Sequence, residues 1–135
     1  MKLSASDIEE SIVTILKGLN LGLGGGIYRR GARPYNSNKE DCIVALLSGV
    51  GQQLQKGYVV INIYVSDVKM TDGQYHKNMT RCAQLETLLG DIDKRLNENG
   101  EIRFDNYDII ATYEEVEINQ HFVSAKLQYR YMTDY

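Results

Sequence analysis

The sequence predicts an α+β domain: a mostly antiparallel sheet with two helices on one face, in the order α-β-β-β-α-β-β. Three observations carry this. Tyr58 to Val65 alternates at period 2, with Val59, Ile61, Ile63 and Val65 on one side and Tyr58, Val60, Asn62 and Tyr64 on the other. Being rich in β-branched and aromatic residues, it reads as a central strand. Two other segments repeat apolar residues at helical spacing. Phe122 to Met132 alternates again, Val123, Ala125, Leu127, Tyr129 and Tyr131 opposing Ser124, Lys126, Gln128 and Arg130, as a strand with one core side and one polar side does. The 135 residues suffice for one domain, 1–135, with a single core.

The first helix spans Ala5 to Leu19. Ser4 and Asp7 suit a capping box, Leu3 and Ile8 a hydrophobic staple, and Ile8, Ile12, Ile15, Leu16 and Leu19 form the buried stripe. Asn20 and Gly22 tolerate the left-handed turn of a helix exit. Leu21 to Gly26 lacks the last glycine of a dinucleotide loop and follows a helix instead of a strand, so a flexible connector is expected. Ile27 to Arg30 reads as a short strand. Gly31 to Glu40, with the only proline, reads as an exposed loop.

Asp41 to Leu47 is a second strand by composition, and Ser48 to Gly57 a Gly- and Gln-rich connection to the central strand, which Ser66-Asp67 ends. The second helix has a start signature at Thr71 with Gln74, and Met70 placed to staple Tyr75. Met79, Cys82, Leu85, Leu88, Leu89, Ile92 and Leu96 mark its stripe to about Glu98; Gly90 inside it would permit close packing on the sheet, and Asn99-Gly100 stops it. Ile102 to Thr112 gives a fourth strand, Glu114 to Glu117 continues it or forms a loop, and Phe122 to Met132 is last.

Composition excludes several classes. A net charge of −3 and a pI near 5.4 argue against a general nucleic-acid binder. Apolar runs fall short of a bilayer span, and the polar start after Met1 does not suit a secretory leader; the expectation is a soluble, cytoplasmically folded protein. Cys42 and Cys82 sit at apolar positions and read as buried free thiols. Zinc spacing, a nucleophile elbow and a P-loop are absent. His76 and Cys82, if on one helix, are separated by about 600° of rotation and diverge. His121 with Glu115 and Glu117 upstream is a possible acid–base group, although an exposed histidine beside acids is the commoner reading. No catalytic residue, cofactor site or metal site is assigned.

What remains is surface. Tyr28, Arg29, Arg30, Arg33 and Tyr35, with Lys39, make a locally basic segment that reads either as a solvated edge or as a contact for an acidic neighbour. Tyr58, Asn62 and Tyr64 share the face opposite the aliphatic one, with Lys126, Gln128 and Arg130 on the polar side of the last strand. Ten tyrosines and no tryptophan, with Tyr129, Tyr131 and Tyr135 near the end, fit an interface, since tyrosine joins large contact area to a polar tip.

The element order, together with Arg33-Pro34-Tyr35-Asn36-Ser37, Glu40-Asp41-Cys42-Ile43-Val44, Gln55 to Val65 and His121 to Arg130, resembles the small tail-terminator, tail-completion and head–tail joining proteins of long-tailed bacteriophages and prophages. The similarity spans roughly Ser4 to Tyr131 and rests on architecture more than on any sharp motif. It implies a non-enzymatic ring, commonly of six subunits, linking tail tube to head connector. Its partners would be itself, the tube and the connector, with no sequence-specific nucleic acid and no membrane. Its location would be the bacterial cytoplasm during assembly and the virion afterwards. The competing expectation is a small protein-binding adaptor of a mobile element.

Overall fold

In a computed structural model, which describes residues 3–50, 54–98 and 100–132, the apolar alternation becomes the centre of a sheet. The elements are α1 (Ala5–Gly18), β1 (Ile27–Arg29), β2 (Cys42–Val50), β3 (Leu54–Ser66), β4 (Val68–Lys69), β5 (Tyr75–His76), α2 (Met79–Gly90), α3 (Ile92–Asn97), β6 (Arg103–Asn106), β7 (Ala111–Glu115), a 3-10 turn (Val116–Ile118) and β8 (Gln120–Met132). The main sheet runs β1-β2-β3-β8-β6, with β7 also paired to β8, and β4 and β5 form a separate ribbon. The class is α+β and the sheet mostly antiparallel.

The aliphatic face of β3 lies against the helices. Val59, Ile61 and Ile63, the β8 residues Val123, Ala125, Leu127 and Tyr129, and helical Ile8, Ile12, Leu16, Leu85, Leu89, Ile92 and Leu96 form one buried cluster. Ser4 caps α1 as expected: its hydroxyl accepts from the Asp7 N–H while the Asp7 carboxylate accepts from the Ser4 N–H. Asn20 and Gly22 both adopt positive φ.

Five expectations are corrected. First, short connections before the second helix lead one to expect antiparallel pairing there, but β1 pairs with β2 in parallel, because the loop from Arg30 to Asp41 carries the chain back along the sheet edge before β2 begins. Second, β2 and β3 extend into the stretch expected to be a long connection, since Ser48, Gly49 and Val50 pair with Tyr58, Gly57 and Lys56. Third, Thr71 does not start a helix. Thr71-Asp72-Gly73 is the turn of the β4–β5 ribbon, with Gly73 at φ +87° and the Asp72 carboxylate accepting from the Gln74 N–H. The helix starts at Met79 under an Asn78 cap, so His76 is not helical and Met79 is exposed. Fourth, Gly90 ends α2 instead of bringing it close to the sheet: a side chain there would meet no neighbour, and its carbonyl accepts from the Asn106 amide. Fifth, Ile102 to Thr112 is two strands, β6 and β7, which pair end to end with successive stretches of β8 and are separated by residues 107–110. The C-terminal tyrosines also part company. Tyr129 and Tyr131 are buried in the core, while Tyr135 lies outside the described residues.

Candidate functional site

The loop from Gly31 to Glu40 is bound down at one end of the sheet. Asp41, 1 % exposed, is the anchor. Its carboxylate accepts from Arg33 Nε at 2.8 Å, from the Ser37 hydroxyl and from the Gly26 N–H at 3.0 Å. Arg33 Nη2 also donates to Gln120 Oε1 at 2.9 Å, and the guanidinium stacks on the Tyr64 ring, 4.1 Å from its centroid. Arg33 is therefore committed within the chain, in spite of the basic segment it belongs to.

A second carboxylate ties the preceding loop. Glu40 takes a two-pronged contact from Arg81 of α2, at 2.7 and 2.9 Å, and Arg81 also donates to the Gly22 carbonyl. That Arg81 contact, against the opposing cost of burial, holds Glu40 below its usual range. The glycine-rich stretch is accordingly no loose connector. Gly25 is a glycine because residues 40–41 pass so close, a methyl there sitting 2.6 Å from the Glu40 carbonyl oxygen, whereas a methyl on Gly26 would run into the Tyr28 ring. Gly25→Ala is expected to cost about 1–3 kcal/mol, with Gly24→Ala, where a side chain meets open space, near neutral; thermal unfolding of the two variants checks this.

His121 is not the exposed histidine expected. Its Nδ1 lies 2.6 Å from Asp67 Oδ1, with both side chains largely covered. The pair borders a cavity of about 420 Å³ lined by Tyr75, His76, Lys77 and Glu114 among others. No serine, threonine or cysteine lines it, and among the described residues no three His, Cys, Asp or Glu side chains converge as a metal would require. The pair joins the exit of β3 to the start of β8, where the Asp67 N–H also donates to the Asn119 carbonyl. Cys42 and Cys82 are buried free thiols. Burial, helped by Asp41, pushes the Cys42 thiol up to about 12, and burial raises Cys82 too, so neither is a ready nucleophile.

The face opposite the helices differs in kind. Register places Tyr64 beside Phe122 and Phe122 beside Tyr113, Asn62 beside Ser124, Val60 beside Lys126, and Tyr58 beside Gln128. The rings form a row: Tyr64 to Phe122 at 5.3 Å, Phe122 to Tyr113 at 5.5 Å, while Tyr58 meets Tyr107 at 4.6 Å. The apolar residues of all three helices join the cluster on the other side of the sheet. Tyr58, Asn62, Tyr64, Lys126 and Gln128 are half-buried; the Gly31–Glu40 loop reaches this face at its Tyr64 end, where Arg33 lies over the ring and the Asn38 carbonyl accepts from the Ser66 hydroxyl. The Asn62 amide oxygen is buried there without a hydrogen-bond partner. Tyr28 shares this face, paired with Ile43. Arg29 turns to the helix side, 3.7 Å from Glu10, and Arg30 donates to the Leu46 carbonyl. Tyr35 is 92 % exposed, and Arg130 pairs with Asp105 at the surface.

The sequence had no signal for the Arg33–Asp41, Arg81–Glu40 and Asp67–His121 pairs beyond one: a carboxylate heading the apolar run Cys42 to Leu47 asks for a buried partner. No protein-family model and no curated protein sequence matches this chain. No helix among the described residues is long and apolar enough to cross a membrane.

Proposed function

We propose that this protein is a non-enzymatic structural subunit of a phage or prophage tail, a tail-terminator or head–tail joining protein that assembles with copies of itself into a ring between tail tube and head connector. The observation that supports it is the sheet face carrying Tyr58, Asn62, Tyr64 and the Phe122–Tyr113 row, which no helix among the described residues covers. Aromatic rings on an open sheet face are the material of an interface. The anchored loops keep that face in a fixed shape, which lowers the ordering cost of association. A heterologous contact whose rotation closes yields a ring.

Native mass spectrometry and negative-stain microscopy over a range of concentrations, with and without a tail-tube protein, test this. The expected result is one closed species, with six copies the leading expectation. A monomer at high concentration that binds neither tube nor connector protein overturns the reading.

A further inference from the structure

The open face leaves undecided how one copy meets the next; the two edges of the sheet supply an answer, which rests on the ring reading above. Along the sheet order, β1 and β7 stand on opposite edges. On β1, the Gly26 carbonyl accepts from the Cys42 N–H and the Arg30 N–H donates to the Val44 carbonyl. The alternate residues Ile27 and Arg29 therefore turn their backbone groups away from β2. Among the described residues β7 pairs only with β8. Such edges are templates for another strand.

Their charges are opposite. The β1 edge carries Arg29, whose exposed contact with Glu10 is a loose 3.7 Å, and exposed Arg30, whose side chain has only the neutral Leu46 carbonyl as a partner among the described residues; the β7 edge and the turn after it carry Glu114, Glu115 and Glu117. Exposed apolar side chains sit at the acidic edge as well, with Tyr113, Val116 and Ile118 following one another out of β7. Strand direction agrees. β1 runs parallel to β2, β2 antiparallel to β3, β3 to β8 and β8 to β7, so β1 and β7 run in opposite directions. A neighbouring copy rotated about an axis roughly along the strands would bring its β1 antiparallel to β7, extending the ladder in the arrangement the rest of the sheet uses.

We propose that the occupant of the acidic β7 edge is the basic β1 edge of a second copy of this chain, head to tail, so that the sheets of successive subunits join. One edge is acidic and the other basic, so the contact is heterologous and like edges repel; this favours ring closure over a two-fold dimer.

The test uses two full-length variants, Arg29→Glu with Arg30→Glu, and Glu114→Lys with Glu115→Lys and Glu117→Lys, under conditions in which wild type assembles. Each alone is expected to lose assembly, with the midpoint concentration raised at least ~10-fold, about 1.4 kcal/mol. Mixed in equal amounts they are expected to assemble again, because one now has two acidic edges and the other two basic edges, which alternate around an even-numbered ring. Circular dichroism establishes that each is folded. Hydrogen exchange on wild type is independent of the variants and reads the same contact: the Ile27 and Arg29 amides gain protection on assembly. Variants that assemble alone like wild type, folded variants that fail to complement, or unchanged exchange at Ile27 and Arg29 overturn the edge pairing and leave the ring reading standing. A wild type that stays monomeric with and without the tube protein overturns both.

Discussion

Replacing Asp41 with alanine is expected to lower stability by about 3–5 kcal/mol, because it strands the Arg33 guanidinium beside the sheet without its counter-charge. The same change removes the acceptor for the Gly26 N–H and the Ser37 hydroxyl, so the loops before β1 and before β2 both lose their tether. The effect has a pH signature. Burial opposes the charge on Asp41, but hydrogen bonds from Arg33, Ser37 and Gly26 outweigh it and hold the carboxyl below its ordinary value. A carboxyl depressed by folding contributes stability that is present above its unfolded pKa, near 4, and is lost as pH falls through the folded value. Wild type is therefore expected to hold its Tm from neutral pH to about pH 5 and to lose it most steeply below about pH 4. Asp41→Asn is expected to be less stable at pH 7 and to show a shallower acid slope. Tm measured by circular dichroism from pH 7 to pH 3 checks both; an Asp41→Asn slope equal to wild type would show that the acid loss comes from elsewhere.

Tyr129→Ala is expected to cost a further about 3–5 kcal/mol, the range for emptying a large aromatic site in a core. Tyr129 is fully buried opposite Phe104, itself buried, and both belong to the central cluster. Among the described residues the hydroxyl has no partner in hydrogen-bonding geometry, the nearby Gln55 amide being paired with the Leu3 backbone, so its burial costs desolvation with little return. Tyr129→Phe is accordingly expected to equal or exceed wild type in stability. Urea unfolding of the two variants separates ring from hydroxyl: a Phe variant weaker than wild type by more than about 1 kcal/mol would reveal a hydroxyl partner in solution.

Much of this architecture was legible because it is local. Ser4 and Asp7 satisfy each other across three residues, and the alternation from Val59 to Val65 dictates which side is dry whatever the neighbours are. The false helix start at Thr71 shows where local reading misleads. A capping-box pattern and an Asp-Gly turn share residue types, and Gly73, able to take positive φ cheaply, decided between them. The break at Gly90 and the split between β6 and β7 depend on a contact across the chain, the Asn106 amide reaching the Gly90 carbonyl, that no window of sequence contains. The candidate surface was legible as a face and not as a set of contacts. Tyr58 and Tyr64 were placed by period, whereas Arg33 looked like a free cation because its partners, Asp41 and Gln120, are brought to it by the β2–β3–β8 ladder.

That ladder also governs when the protein can fold. β8 lies at the centre, pairing with β3 on one side and with β6 and β7 on the other, yet it follows every one of them in the chain. Until it has been synthesised, the nascent polypeptide holds a β2–β3 hairpin with one flank bare and helices with half a floor to rest on. Pairings between segments so far apart form slowly, and the waiting surface is sticky. The ribosome must therefore release β8 before the sheet closes, and a messenger cut short ahead of Gln120 would yield a product suited to aggregation or to proteolysis rather than to assembly.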